Sequence, residues 1–124
     1  MSINTFFILA STSKSRVSIL KNLNLKFKTI KPTCNENLYK KKFKKLKFSP
    51  KRISKELAKI KAKSVAINMN NRLVIGSDTI INYMGKIIEK EKNLAGAKKK
   101  IKKLSGKEHI IVSSIVTYYK KKLI

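Results

Sequence analysis

Asp78 is the sole aspartate of the chain and stands one residue beyond the apolar run Leu73-Val74-Ile75-Gly76. A carboxylate at the end of a buried strand suits orienting or deprotonating water, or holding a divalent cation. The plainer reading is a turn-forming aspartate bonded to nearby backbone. Ser11, Ser13 and Arg16 lie where the run Phe6-Phe7-Ile8-Leu9-Ala10 gives way to a helical pattern. Hydroxyls and free N–H groups at such a turn, with the helix dipole behind them, suit a phosphate, and a guanidinium adds a charge-assisted clamp. The alternative is an ordinary helix cap beside a surface arginine. Lys61 stands four residues from both Leu57 and Val65, inside the apolar arc of its helix. It either meets phosphate oxygens in a cleft or snorkels along that face. On the first reading its loss is expected to disturb phosphate binding more than folding. Lys90, between Glu89 and Glu91, and Glu36, after Asn35, read unaided as solvated charges. Cys34 and His109 read as packing and surface.

These groups sit in an unusual background. The 124 residues carry 31 Lys and Arg against 6 Asp and Glu, a net charge of +25. Counterion release would draw such a chain to any polyanion. Specific nucleic-acid recognition leans on arginine, however, and only Arg16, Arg52 and Arg72 are arginines. The rest is lysine, spread along the chain with abundant Ile and Asn, which points to compositional drift in an A/T-rich genome. A single cysteine and a single histidine exclude an internal disulfide and a His/Cys metal cluster, leaving oxygen ligands for any metal. No apolar run approaches membrane-spanning length and the start lacks a secretory signal. The expectation is a cytoplasmic protein with no membrane partner.

The elements that must position these residues read as alternating strands and helices. Phe6 to Ala10 predicts a buried strand, with a helix following the hydroxyl-rich turn; Leu25 to Ile30 predicts a second strand. Residues 31 to 49 read as a lysine-rich loop with a frayed helix at 39–46. Pro50 opens a helix with Ile53, Leu57, Ile60 and Ser64 on one face. Leu73 to Gly76 is a strand ending near Asp78, and Gly85 marks a hairpin-like turn. Leu94, Ala97, Ile101 and Leu104 define a helix that Gly106 stops. Ile110 to Tyr119 is a final strand. The class is α/β in one domain.

The order of these pieces resembles the Maf family of nucleoside triphosphate pyrophosphatases. Ile8-Leu9-Ala10-Ser11-Thr12-Ser13-Lys14-Ser15-Arg16 resembles its opening, Leu-Ala-Ser-x-Ser-Pro-x-Arg. Leu57-Ala58-Lys59-Ile60-Lys61-Ala62 resembles its Leu-Ala-x-Glu-Lys-Ala helix, and Val74-Ile75-Gly76-Ser77-Asp78-Thr79 its Gly-Ala/Ser-Asp-Thr/Gln strand. Gly85-Lys86-Ile87-Ile88-Glu89-Lys90 and Leu104-Ser105-Gly106-Lys107-Glu108-His109 are similar to two further motifs. The resemblance implies a mixed sheet flanked by helices, of the Maf and inosine-triphosphatase kind, over residues 1–124. It also implies that the family's C-terminal part is lacking and the second lobe incomplete. Ile110 to Tyr119 should then expose apolar surface or an unpaired edge.

By the same resemblance, Ser11, Ser13, Arg16, Lys61 and Lys90 bind a triphosphate, and Asp78 is the general base that activates water. Glu36 and Asp78 hold Mg²⁺ or Mn²⁺, and Ser15 and Thr79 fall at positions that discriminate substrates. Departures from the pattern include Ile60 for a glutamate, Thr33 and Asn35 for acidic residues, and Glu89 and Glu91 beside Lys90. The Ser11-Thr12-Ser13 and Gly76-Ser77-Asp78 segments resemble the branch acting on 7-methyl-GTP, toward which the reading leans. Thr79 resembles the branch acting on dTTP and UTP. An inactive remnant of the family and a small basic nucleic-acid-binding protein are the other readings. The partner expected is a nucleoside triphosphate; nucleic acid is disfavoured, and a homodimer is left open.

Overall fold

The computed structural model describes residues 6–69, 71–83, 86–88 and 94–124. The elements run β1 (Phe7–Leu9), α1 (Lys14–Asn22), β2 (Phe27–Thr29), α2 (Glu36–Lys45), α3 (Pro50–Ala66), β3 (Val74–Tyr83), β4 (Lys86–Ile88), α4 (Leu94–Leu104), β5 (Ile110–Tyr119) and β6 (Lys122–Leu123). They form one six-stranded mixed sheet in the order β2-β1-β3-β5-β6, with β4 folded back on β3. β1 is parallel to both β2 and β3, whereas β3, β5 and β6 run antiparallel. The expected mixed α/β sheet with flanking helices is therefore present.

Helix α3 organises the core. Ser49 caps it, its hydroxyl accepting from the Arg52 N–H, and Pro50 occupies the first turn, where its missing donor costs nothing. Its buried face is Ile53, Ser54, Leu57, Ala58, Lys61, Ala62, Val65 and Ala66. That face is rotated from the predicted one: Ile60 and Ser64 lie at its border. Alternation along β3 puts Val74, Gly76, Asp78 and Ile80 toward α3, and all four are buried. The approach is close. A Cβ at Gly76 would lie 2.5 Å from the Ala58 carbonyl oxygen and 2.6 Å from the Ala62 Cβ. Glycine facing two alanines lets helix and strand meet almost backbone to backbone. On either side of Asp78 along the strand lie two apolar clusters, one around Val74, Ala58 and Val116, the other around Ile80, Leu57 and Phe43.

The structure corrects three expectations. The helix expected at 39–46 within the 31–49 loop starts earlier: α2 begins at Glu36, capped by the Asn35 side chain, and buries Phe43. Glu36 is therefore a first-turn residue, not a loop residue. Strand β3 does not end at Asp78 but continues to Tyr83, so Asp78 is in mid-strand. Helix α4 is present and Gly106 takes the left-handed φ of +71° expected beyond its end, yet Ile101 is exposed. Strand β5 exposes Ile110, Ile111 and Ile115, and only Tyr118 and Tyr119 pair with β6. The expectation of exposed apolar surface there holds. Gly85 falls outside the described residues.

Candidate active site

Two clusters of polar side chains meet β3 at consecutive residues. The first is ionic. Lys61 projects from α3 onto the carboxylate of Asp78, Nζ to Oδ1 2.9 Å, and also reaches Glu36 Oε1 at 3.0 Å. Asp78 is 4% exposed and Lys61 8% exposed, so this is a buried pair. Ser54, two turns earlier on α3, donates its hydroxyl to the Asp78 carbonyl at 3.1 Å. Helix and strand are thus joined at backbone and side chain of the same residue. Removing charged groups from water is costly, and a pair in such a place needs good geometry to persist. The close contact at Gly76 supplies it.

Asp78 retains a capacity that its neighbours do not use. Its Oδ2 is buried and has no hydrogen-bond partner among the described residues. Desolvation pushes its pKa above the ordinary 3.8, opposed by the charge and hydrogen bond of Lys61 and reinforced by the nearby Glu36 carboxylate. One ammonium also lies between two carboxylates, leaving this trio one negative charge in excess. Asp78 and the half-exposed Glu36 are hard oxygen donors, the kind that Mg²⁺ accepts in pairs beside substrate phosphates. No group of three or more His, Cys, Asp or Glu suited to a metal occurs among the described residues. An all-protein metal cage is therefore not what these residues form.

The second cluster lies at the carboxyl end of β1 and is held by hydroxyls. Ser11, buried, accepts from the Ser13 N–H at 3.0 Å and from Arg16 Nη1 at 3.3 Å. Ser13 is the cap of α1, accepting from the Arg16 N–H at 3.4 Å, and its hydroxyl is 3.1 Å from that of Ser15. The helix starts at Lys14, so Ser15 and Arg16 belong to its first turn and not to the preceding loop. Arg16 Nη2 lies 3.5 Å from Thr79 Oγ1, and Thr79 Oγ1 is 3.0 Å from Ser113 Oγ. Thr79 follows Asp78 in an extended strand, so its side chain leaves the opposite face of the sheet.

Ser11, Ser13, Ser15, Arg16 and Thr79 are therefore linked to one another, and Lys61, Asp78 and Glu36 to one another. The two groups adjoin through the backbone of residues 78 and 79 and not through a side-chain contact. An open depression of about 590 Å³ lies elsewhere, along α1, lined by Ser11, Thr12, Lys14, Val17, Ser18, Lys21, Asn22 and Thr29. It includes Ser11 but none of the ionic trio. Lys90 lies outside the described residues. Ser54 and Ser113 were not singled out in the sequence. A helix serine four positions before Ala58 and a strand serine between Val112 and Ser114 carry no signal until the strands are paired. His109 is exposed, its ring Nδ1 3.2 Å from the Lys107 carbonyl, and Cys34 is half-buried with its thiol pKa raised by burial. No helix among the described residues is long and apolar enough to cross a membrane.

The family profile described as Maf-like protein matches residues 6–123. A dTTP/UTP pyrophosphatase of Thermosipho melanesiensis is 34% identical over 94% of this chain and 59% of its own length. A nucleoside triphosphate pyrophosphatase of Pelagibacter ubique is 35% identical over 87% of this chain and 55% of its own. A dTTP/UTP pyrophosphatase of Clostridioides difficile is 36% identical over 87% of this chain and 53% of its own. The chain thus spans little more than half the length of the curated relatives it matches. A profile match from the first strand to the last, over a sheet that brings Asp78, Lys61 and Glu36 together, shows that the chain belongs to the Maf-like protein family.

Proposed function

We propose that this chain carries the catalytic half of a nucleoside triphosphate pyrophosphatase, cleaving its substrate to a monophosphate and pyrophosphate. The observation that supports this most is the Asp78 carboxylate. It is buried, its pKa is raised, one oxygen is fixed by Lys61 and the other has no hydrogen-bond partner among the described residues. A general base works best when its pKa is drawn toward the working pH and one oxygen can accept a proton. In this reading Asp78 takes a proton from water attacking the α-phosphorus. Lys61 holds Asp78 in place and keeps one N–H for a phosphate oxygen. Arg16, with Ser11 and Ser13, orients the triphosphate, and Lys90 adds positive charge. Glu36 and Asp78 would hold Mg²⁺ or Mn²⁺, which offsets charge on the leaving pyrophosphate when bound.

For the base, the lean toward 7-methyl-GTP gives way to dTTP or UTP. Several relatives bear the name dTTP/UTP pyrophosphatase and none of the three described here bears the other. Thr79, which resembles that branch, has its hydroxyl beside Arg16. Ser15 is the second position expected to discriminate.

The test is pyrophosphate release from dTTP, UTP and 7-methyl-GTP with Mg²⁺ or Mn²⁺. Turnover is expected on dTTP or UTP, dependent on metal. Asp78→Asn keeps size but loses the anion, and is expected to lower turnover about 100- to 10,000-fold. Wild-type protein that is folded and inactive on all three nucleotides would favour an inactive remnant. Activity unchanged in Asp78→Asn would exclude the mechanism.

A further inference from the structure

We propose that Ser113 is a positioning residue for nucleotide selection, acting through Thr79 on Arg16. The inference rests on the pyrophosphatase reading above. Ser113 faces Thr79 directly across the β3–β5 ladder, and the two hydroxyl oxygens are 3.0 Å apart. Arg16 is a donor only, so Thr79 Oγ1 must accept from it. A hydroxyl has one proton and two lone pairs. With one lone pair turned to Arg16, Ser113 engages one of the two remaining positions, the proton or the second lone pair. The rotation of the Thr79 hydroxyl is thereby set by Ser113.

This control reaches Arg16 because α1 is weakly anchored. No residue of α1 is buried, and Ile19 is 60% exposed. The guanidinium is placed by its contacts to Ser11 and Thr79, not by packing of its helix. The Thr79 contact, at 3.5 Å, is long, so a hydroxyl free to rotate would release it. Ser113 itself is exposed and stands between Ile111 and Ile115, which are exposed on the same face. Its hydroxyl therefore has no core to stabilise, and its one described side-chain partner is the residue that touches Arg16.

The experiment is a double-mutant cycle of Ser113→Ala and Thr79→Ala, with Ser113→Thr as the variant that keeps the hydroxyl. KM and kcat are measured on dTTP and UTP, and thermal midpoints on all proteins. Ser113→Ala is expected to raise KM about 3- to 10-fold, the worth of one neutral hydrogen bond, with kcat within about twofold and the thermal midpoint unchanged. Ser113→Thr should restore KM. The double variant should be no worse than Thr79→Ala alone, because the two residues act in series. Wild-type kinetics in Ser113→Ala, or effects of the two alanines that add, would overturn the inference while leaving the enzyme reading intact. If the wild type binds dTTP without turning it over, the hydrolytic reading fails. The same cycle is then read from dTTP affinity by calorimetry, where equal affinity of wild type and Ser113→Ala overturns the role of Ser113. Absence of dTTP binding by the wild type would overturn both.

Discussion

Helices α3 and α1 each bring one cation to β3, at neighbouring residues, and they do so in opposite ways. α3 buries eight residues and rests on Gly76; Lys61 arrives at Asp78 with its position fixed by the core. α1 buries none; Arg16 arrives at Thr79 through hydroxyls and a long hydrogen bond. A general base needs a fixed geometry, because small misplacements cost large factors in rate. A triphosphate clamp tolerates adjustment and benefits from side chains that close on the ligand. On the proposed function, the two faces of one strand divide these tasks, which alternation of side chains makes possible.

The largest expected effect tests the fixed side. Lys61→Ala would leave Asp78 buried beside Glu36 with its cation gone. Breaking a buried pair in this way typically costs about 3–5 kcal/mol, and urea denaturation at neutral pH should show a loss of that order. A loss below about 1 kcal/mol would mean that the pair behaves like a surface one and that the contrast between the helices is false. This expectation reverses the one drawn from the sequence, where a lysine in an apolar arc looked dispensable for folding. What sequence periodicity cannot show is that a carboxylate 17 positions away depends on it.

A smaller effect sharpens the same side through pH. The folded pKa of Asp78 is raised above 3.8, so the folded chain binds that proton more tightly than the unfolded one. Below the unfolded value both states are protonated and nothing is lost. As pH rises through 3.8 toward the folded value, the unfolded chain ionises first and stability falls; above the folded value the loss is complete. Asp78→Asn lacks this step. The urea midpoint of the variant should gain on that of the wild type across this window, and a gap that stays constant or narrows would contradict the raised pKa. This gain is one of trend with pH: the broken pair with Lys61 still lowers the absolute stability of the variant.

The smallest effect belongs to the adjustable side. Arg16→Ala removes contacts to Ser11 and Thr79 that hold a helix without buried residues. Its effect on stability should stay within about 0.5 kcal/mol, while KM for the nucleotide rises. A large drop in melting temperature would show that α1 depends on Arg16 for its docking and would erase the distinction between the helices.

Much of this arrangement was legible in the sequence, and the exceptions have physical causes. The apolar runs around Ile8, Val74 and Val116 became the core strands, and Pro50 marked the start of α3. The extent of α2 was obscured because Lys40, Lys41, Lys42, Lys44 and Lys45 leave only Tyr39 and Phe43 to signal a buried face. The Asn35 cap was the local clue. The end of β3 was misplaced because a charged residue looks like a strand terminus, whereas here a partner from another element keeps Asp78 inside. Ser11, Ser13, Arg16, Lys61, Asp78 and Glu36 were each named from the sequence or the family resemblance. Their division between the two sides of β3 required the observed register, and Ser113 required the β3–β5 pairing.

Strand β5 gives the charge of this chain a second meaning. Beyond Tyr118 and Tyr119, its outer edge has no strand partner among the described residues, and Ile111 and Ile115 stand exposed on it. Two copies could add strands there, but each brings a net charge of +25. At low ionic strength that repulsion reaches about 30 Å, far beyond the spacing of paired strands; near 0.15 M it is screened to about 8 Å. The lysines therefore act as a colloidal barrier whose height is set by salt. Adding salt lowers the barrier while leaving the apolar attraction intact, so self-association should grow under the same conditions that loosen the hold of the chain on any polyanion.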